Sequence, residues 1–167
     1  MNAGAPVRAF VAFGGNEGEV QANLLAAIDA LGRLPGTSVR RCSSFYRTPA
    51  WGRTDQPDFL NGVVELRTEL GASELMQALL AVEARFGRVR GEGAERWGPR
   101  TVDLDLLVYG DEVRDDPGLT LPHPRLHERA FVLVPLAEIA PGLAVPGRGR
   151  VDQLLAAVDA SGIQAIP

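Results

Sequence analysis

The chain has 167 residues, a length typical of one domain, and its 46% hydrophobic and 23% charged residues are typical of a soluble globular protein. A peptide hormone, a fibrous protein and a mostly disordered chain are excluded, because roughly two thirds of the surface of an unfolded chain this long can be buried. No apolar run approaches the ~18–20 residues of a membrane span. The net charge of −4 argues against a general binder of nucleic acids or anionic membranes.

The single cysteine, Cys42, cannot form an internal disulfide, and no secretory signal is evident, so we expect a cytoplasmic protein. We expect Cys42 to be a small buried thiol and not a nucleophile, because the sequence shows no activating base beside it. All 17 basic residues are arginine. This composition excludes a catalytic lysine, a Schiff base and the lysine-dependent phosphate loop.

The first half of the chain predicts a strand, a helix and two further strands. The first strand covers 7–13 and ends at Gly14-Gly15-Asn16, and we expect Gly14-Gly15-Asn16-Glu17-Gly18 to be a turn that requires a positive φ. A helix over 19–34 stops at Pro35-Gly36. Strands over 37–46 and 61–69 flank an irregular loop over 47–60. The length of this loop favours a functional role.

The second half predicts a helix over 72–86, a polar loop over 87–100 and a fourth strand over 101–109. A loop over 117–127, a partly helical segment over 128–139 and a short helix over 150–160 complete the pattern. The order βαββαβ is typical of a ferredoxin-like α+β fold, in which helices pack on an antiparallel sheet. We expect a single domain over residues 1–167.

The fourth predicted strand carries two aspartates, Asp103 and Asp105, on one face, because strand residues two apart point the same way. Two carboxylates on one face of an otherwise apolar strand repel each other and resist desolvation. Mg²⁺ would relieve both costs, since it prefers carboxylate oxygens together with water and phosphate. The alternative is a solvated strand face or two separate ion pairs.

Five arginines lie directly before the aspartates: Arg85, Arg88, Arg90, Arg96 and Arg100. The guanidinium group binds phosphate oxygens in pairs. Carboxylates that bind Mg²⁺ beside mobile cationic groups are what triphosphate chemistry requires. Glycines in the same loop would let it close over a ligand. A solvated arginine-rich loop is the alternative.

Aromatic residues fall in or beside the predicted loops, namely Trp51, Phe59, Trp97 and Phe131. A flat heterocycle held between aromatic rings would explain this placement. Asn61 can offer both a donor and an acceptor to the edge of such a heterocycle. The alternative is that these rings fasten the loops to the core.

Together these segments resemble the 6-hydroxymethyl-7,8-dihydropterin pyrophosphokinase family of folate biosynthesis. The most specific segment is Arg96-Trp-Gly-Pro-Arg-Thr-Val-Asp-Leu-Asp105, and Ser43-Ser-Phe-Tyr-Arg-Thr-Pro49, Gln56-Pro-Asp-Phe-Leu-Asn61 and Leu121-Pro-His123 also match. The resemblance implies a ferredoxin-like α+β fold with long mobile catalytic loops. It also implies transfer of the diphosphate of ATP to the hydroxymethyl oxygen of the pterin, with release of AMP.

The resemblance further implies a role for individual residues. Asp103 and Asp105 would hold two Mg²⁺ ions, and Arg88 and Arg100 would stabilise charge on the transferred group. The pterin pocket would comprise Thr48, Pro49, Trp51, Phe59, Asn61, Trp97 and Phe131. The ATP side would comprise Glu83, Arg90, Arg96, Leu106, Thr120, His123 and Arg129. The implied partners are the small molecules ATP and 6-hydroxymethyl-7,8-dihydropterin. We expect no nucleic-acid partner and no membrane partner, and we expect a monomer.

The chain departs from the family pattern at Gly15, Trp51, Leu80 and Gly118, and the loop carries two extra residues around 91–93. Trp51 would reshape the rim of the pterin pocket. Leu80 and Gly118 replace residues expected near ATP and would alter the affinity for ATP. Two other functions fit parts of the pattern. A ferredoxin-like sheet with exposed aromatics can bind single-stranded RNA, and Asp103 could be the nucleophile of an aspartyl-phosphate phosphatase. The negative net charge opposes the first, and the absence of lysine opposes the second.

Overall fold

A computed structural model describes residues 5–49, 57–86 and 101–166, which form a central sheet with helices on both faces. The first elements are β1 (Val7–Gly15), α1 (Val20–Gly32), β2 (Thr37–Cys42), β3 (Tyr46–Thr48), β4 (Phe59–Thr68), α2 (Ala72–Arg85) and β5 (Asp103–Tyr109). They are followed by β6 (Arg114–Asp116), β7 (Leu119–Leu121), a 3-10 turn (Leu126–Glu128), α3 (Ala130–Ile139), β8 (Ala144–Val145), β9 (Gly149–Arg150), α4 (Val151–Ala156) and β10 (Gln164–Ala165).

The central sheet is antiparallel, with the order β10-β3-β4-β1-β5 and with β2 also paired to β4. The elements β1, α1, β2, β4, α2 and β5 follow the predicted βαββαβ order, and β3 covers the last residue of the predicted second strand and the first two residues of the loop predicted after it. The predicted α+β fold with helices packed on an antiparallel sheet is therefore confirmed. None of the helices in the described ranges combines the length and the apolar character needed to cross a bilayer.

Strand alternation divides the core between the two faces of the sheet. On one face, Val11 of β1 and Leu66 of β4 pack with Leu24 of α1 and Leu79 of α2. On the other face, buried residues of β1, β4 and β5 pack against α3, and Leu133 lies at the centre of that contact. We call the first the two-helix face and the second the α3 face.

The predicted strand over 37–46 is divided into β2 and β3. The break lies at Ser43, whose backbone N–H donates to the carbonyl of Val63 at 2.9 Å and whose hydroxyl accepts from the Val63 N–H at 2.9 Å. Because Ser43 uses its side chain in the ladder, the chain leaves β2 there and resumes pairing with β4 in β3.

Several other boundaries differ from the prediction. The predicted loop over 117–127 contains β7, which pairs with β6 across a turn in which Gly118 has a φ of 78°. The helix expected within 128–139 is α3, and Pro135 lies inside it. The helix expected over 150–160 covers only Val151–Ala156. Residues 50–56 and 87–100 of the two predicted loops lie outside the described residues.

The turn predicted over 14–18 has the positive φ expected of it, but its predicted start is wrong. Gly14 and Gly15 lie in β1, and the positive φ of this region, 76°, belongs to Gly18. The prediction of a buried Cys42 is also wrong, since the residue is exposed on β2. Partial desolvation of its thiol, and then the charge of Glu138, raise the pKa of Cys42, which disfavours the reactive thiolate.

Candidate functional site

One row of residues crosses four strands on the α3 face. Asp103 of β5 is paired with Gly14 of β1, Gly14 with Asn61 of β4, and Asn61 with Tyr46 of β3. Neighbouring strands lie ~4.8 Å apart, so the backbones of Asp103 and Asn61 are separated by about 10 Å across the central glycine. The sheet therefore places an acidic group and an amide on one surface, with a residue that has no side chain between them.

Asp103 and Asp105 both lie on the α3 face of β5, as the sequence predicts, and both are half-buried. Leu104 and Leu106 alternate with them and are buried in the core of the two-helix face. The two carboxylates thus share one surface of a strand whose other surface is fully apolar. In the described ranges, no group of three or more histidine, cysteine, aspartate or glutamate side chains could hold a metal ion.

The donor set at β5 fits Mg²⁺. Mg²⁺ is bound in nucleotide sites by one or two carboxylates, while waters and phosphate oxygens complete its octahedron. Asp103 and Asp105 supply two half-buried carboxylates on one face of β5, and no soft ligand such as a thiolate accompanies them in the described part of the chain. This chemistry suits a hard cation shared with a phosphate chain and does not suit a closed structural metal site.

Glu83 of α2 holds the strand that carries the aspartates. The residue is 1% exposed, and its carboxylate accepts a hydrogen bond from the backbone N–H of Leu104 at 2.7 Å. Leu104 stands between Asp103 and Asp105, and its N–H points away from the paired strand β1 toward α2. Glu83 therefore binds the edge of β5 at the position of the acidic pair. Its predicted contact with ATP stays a prediction.

Asn61 is held in one orientation by its neighbours on both sides. Its Nδ2 donates to the hydroxyl of Thr48 at 2.7 Å, and Thr48 is 3% exposed. Its Oδ1 lies over Gly14, where a Cβ atom would come within 2.5 Å of that oxygen. The structure therefore brings together Thr48, Phe59 and Asn61 of the predicted pterin pocket, because β3 pairs Thr48 with Phe59 on β4.

His123 approaches the acidic pair from the segment after β7. Its backbone N–H donates to the carbonyl of Leu107 on β5 at 2.8 Å, and its Nδ1 accepts from the N–H of Arg125 at 3.1 Å. Desolvation lowers the pKa of His123, the charge of Asp105 opposes that shift, and the cations Arg129 and Arg125 add to it. Asp105 and Arg129 therefore both lie within electrostatic reach of His123.

The start of α3 carries the last two predicted residues of this surface. The Arg129 guanidinium lies 5.6 Å from the centroid of the Phe131 ring, a cation–π contact. Phe131 is half-buried against the core of the α3 face. Predicted ATP-side and pterin-side residues thus meet at the N-terminal end of α3.

Two further predicted ATP residues lie on β5 and β7. Leu106 has its side chain in the core of the two-helix face, opposite Asp105, so only its backbone could meet a ligand on the α3 face. Thr120 lies on β7, paired with Asp115 of β6. Pro49, which is predicted for the pterin pocket, follows β3 and is exposed. The predicted residues Trp51, Arg88, Arg90, Arg96, Trp97 and Arg100 lie outside the described residues.

The sequence reasoning missed two residues beside this surface, Tyr46 and Glu138. Tyr46 is the cross-strand partner of Asn61, and its hydroxyl donates to Glu138 at 2.5 Å. Phe131 and Glu138 are seven residues apart, a spacing that places two residues on one face of a helix. This spacing is the signal in the sequence that could have identified Glu138.

Comparisons with known proteins find a family model and named relatives that match most of the chain. Residues 10–141 match the sequence model of the family described as 7,8-dihydro-6-hydroxymethylpterin-pyrophosphokinase (HPPK). The chain is 50% identical over 156 residues to the 2-amino-4-hydroxy-6-hydroxymethyldihydropteridine pyrophosphokinase of Synechocystis sp., covering 93% of this chain and 78% of that protein. It is 44% identical over 160 residues to the Pseudomonas aeruginosa protein of the same name, covering 96% of this chain and 97% of that one.

Solved structures show the same fold at low sequence identity. A crystal structure of an HPPK-DHPS in complex with substrates aligns with a TM-score of 0.64 and 11% identity, over 90% of this chain and 43% of that chain. Wild-type Plasmodium falciparum HPPK-DHPS aligns with a TM-score of 0.62 and 12% identity, again over 90% of this chain and 43% of the other. The chain therefore spans less than half the length of these larger proteins.

Proposed function

Because the chain belongs to the 7,8-dihydro-6-hydroxymethylpterin-pyrophosphokinase family, we propose that the α3 face around Asp103, Asp105 and Asn61 is its active site. The enzyme transfers diphosphate from ATP to the hydroxymethyl group of 6-hydroxymethyl-7,8-dihydropterin, a step of tetrahydrofolate biosynthesis that yields AMP and the pterin diphosphate. The row Asp103–Gly14–Asn61 carries the assignment of the site. The row sets the backbones of Asp103 and Asn61 about 10 Å apart. The Asp103 carboxylate suits metal-bound phosphates, and the Asn61 amide suits the edge of a heterocycle.

The pterin half of the site is centred on Asn61. An amide offers a donor and an acceptor to the ring edge, and the hydrogen bond to Thr48 keeps it from rotating. Phe131 and Phe59 border the same surface, and an aromatic face favours a flat heterocycle. The other residues proposed for this half are Pro49, Trp51 and Trp97, with Trp97 and Phe131 on opposite faces of the ring.

The phosphate half of the site is centred on the aspartates. Asp103 and Asp105 would hold Mg²⁺, with two ions proposed, and Mg²⁺ there would neutralise phosphate charge and lower the cost of deprotonating the pterin hydroxyl. Asp105 and Arg129 lie within electrostatic reach of His123, and His123 and Arg129 are proposed to bind phosphate oxygens. Residues proposed to complete the ATP side are Glu83, Arg90, Arg96, Leu106 and Thr120, and Arg88 and Arg100 are proposed to stabilise the transferred group.

The proposed chemistry is an in-line displacement. The hydroxymethyl oxygen of the pterin attacks the β-phosphorus of ATP, the bond from that phosphorus to the oxygen of the departing AMP breaks, and the hydroxyl proton passes to solvent. The sheet contributes by holding the two substrates at a fixed separation, which removes most of the entropic cost of their encounter. Cationic side chains contribute by meeting charge where it develops.

Substitution of the aspartates tests this assignment. We expect Asp103→Asn and Asp105→Asn each to lower kcat/KM by about 10²–10³-fold, because each removes a charge that holds the metal-bound phosphates. The measurement is AMP formation from ATP, the pterin and Mg²⁺. Asp111→Asn, at an exposed residue just past the other end of β5, is the matched control and should retain full activity. Near-native turnover in either test variant would show that the acidic pair is not the metal site.

The alternatives derived from the sequence lose their support. The fold that an aspartyl-phosphate phosphatase favours has a parallel sheet, whereas every pair of strands in this central sheet is antiparallel. No feature of the described residues favours RNA binding over the family's reaction. We further propose that residues 1–167 act as one monomeric domain in the cytoplasm, which sedimentation and cell fractionation would test.

A further inference from the structure

We propose that Glu138 is a positioning residue for the pterin half of the site, which fixes the start of α3 relative to β3. The proposal rests on the proposed function, because it presupposes that the pterin binds between Phe131 and Asn61. Glu138 itself lies on the last turn of α3 and is placed to act through Tyr46 and Ser44.

Glu138 accepts hydrogen bonds from three different donors of the β2–β3 connection. Its Oε1 accepts from the backbone N–H of Ser44 at 3.0 Å and from the hydroxyl of Tyr46 at 2.5 Å. Its Oε2 accepts from the hydroxyl of Ser44 at 3.1 Å and shares the Ser44 N–H at 3.1 Å. Hydrogen bonds to an ionised acceptor are stronger than those between neutral groups. A single carboxylate therefore joins the end of α3 to the middle of the β2–β3 connection and to the first residue of β3.

The Tyr46 end of this link adjoins the proposed pterin contacts. Tyr46 is the cross-strand partner of Asn61, and directly opposed residues have Cβ atoms ~4.5–5.5 Å apart. Thr48, two residues further along β3, lies on the same face and accepts from Asn61. Because β3 has only three residues, fixing the Tyr46 side chain restricts where Thr48 and Asn61 can lie.

The α3 end of the link carries Phe131. Phe131 and Glu138 are seven residues apart in α3, so they lie on nearly the same helix face, about 10 Å apart along the axis. When Glu138 fixes the C-terminal turn of α3 on the β2–β3 connection, it restricts the start of the same helix, where Phe131 packs against the core of the α3 face. Glu138 thereby helps to set the distance between the Phe131 ring on α3 and the Asn61 amide on β4.

The electrostatics of Tyr46 support a permanent link. Burial raises the pKa of Tyr46 to about 12, and the hydrogen bond to Glu138 and the charge of Glu138 add to the shift. Tyr46 therefore remains a protonated donor throughout the physiological pH range. If the hydrogen bond between Tyr46 and Glu138 served stability alone, its removal would change KM for the pterin and KM for ATP equally. A positioning role would change KM for the pterin alone.

The test compares KM for the pterin with KM for ATP in the full-length enzyme. We expect Glu138→Ala to raise KM for the pterin by about tenfold, the equivalent of one lost charged hydrogen bond, with KM for ATP unchanged. Glu138→Gln keeps an acceptor oxygen and should show a smaller rise, and Tyr46→Phe, which keeps the ring, should show a partial rise. Asp152→Ala, which removes only the surface pair with Arg150 at 2.8 Å, is the control and should change neither KM.

The outcomes separate this proposal from the proposed function. Asn61→Ala serves as the reference, and it should raise KM for the pterin if the pterin binds on the α3 face. A rise with Asn61→Ala and no rise with Glu138→Ala would overturn the positioning role alone. No rise with either variant would overturn both. Equal changes in the two KM values would identify Glu138 as merely structural. If Glu138→Ala does not fold, the ratio of the two KM values in Glu138→Gln and Tyr46→Phe decides the question.

Discussion

At the scale of single residues, position 14 requires glycine because neighbouring atoms approach its backbone closely, and not because of its backbone conformation. Its φ is not positive, but the Asn61 Oδ1 and the Leu60 carbonyl lie 2.5 and 3.2 Å from the position that a Cβ would occupy. The Asn61 amide of the neighbouring strand β4 occupies the space that a side chain at position 14 would need. Gly14 thus leaves room for the Asn61 amide because it has no side chain of its own.

Substituting this glycine should affect substrate binding together with stability. We expect Gly14→Ala to displace the Asn61 amide, to raise KM for the pterin, and to lower the free energy of unfolding by about 1–3 kcal/mol through overpacking. Steady-state kinetics and urea unfolding measure the two effects. Gly142→Ala is the control, because its Cβ would come no nearer than 3.7 Å to a side chain and its φ is not positive. A Gly14→Ala enzyme with native KM for the pterin would contradict the role of the amide.

At the scale of elements, β5 is positioned by partners of different kinds on its two edges. One edge pairs with β1, and the other receives the buried Glu83 carboxylate of α2 at the Leu104 N–H. A buried N–H without an acceptor costs as much as a lost hydrogen bond, so the glutamate stabilises the free edge. The acidic pair therefore projects from a strand held on both sides.

Removing this carboxylate should loosen the strand. We expect Glu83→Ala to lower the free energy of unfolding by about 1–3 kcal/mol, because it leaves the Leu104 N–H buried and unsatisfied, and to lower activity with it. Glu83→Gln keeps an acceptor oxygen and should cost less. Glu74→Ala, on the same helix, removes an exposed acceptor of the Gly71 N–H at 2.9 Å and should cost under about 1 kcal/mol. Denaturant unfolding ranks the three variants, and an equal cost for Glu83→Ala and Glu74→Ala would refute the argument.

At the scale of the whole molecule, the end of the chain completes the sheet next to the site. The HPPK match ends at residue 141, and the following segment returns to place β10 beside β3. Gln164 pairs with Arg47, Ala165 with Tyr46, and the Ile166 N–H donates to the Phe45 carbonyl at 2.8 Å. The short strand β3 is thereby held between β4 and β10.

Removal of that last donor should be visible in hydrogen exchange. We expect Ile166→Pro to speed amide exchange in β3, because proline has no N–H to donate and β10 then detaches more often. The amides of β1 and β5, which lie on the far side of β4, serve as the internal control and should exchange at native rates. Native exchange rates throughout β3 would mean that β10 does not support it.

The sequence by itself determined the fold class, the family and most of the elements. Helical periodicity identified α1 and α2, and alternation together with apolar runs identified β1, β4 and β5, because these patterns depend only on local geometry. The same alternation placed Asp103 and Asp105 on one face, since two residues of one strand share a face whatever surrounds them. The motif from Arg96 to Asp105 indicated the family that the comparisons show.

Only the tertiary structure decided which residues of distant segments meet. The row from Asp103 through Gly14 to Asn61 depends on the register between strands, and no local pattern encodes register. The exposure of Cys42 follows from its place on the edge strand β2, and the link from Glu138 to Tyr46 spans 92 residues. Such contacts depend on how whole elements pack, and a sequence pattern describes each element separately.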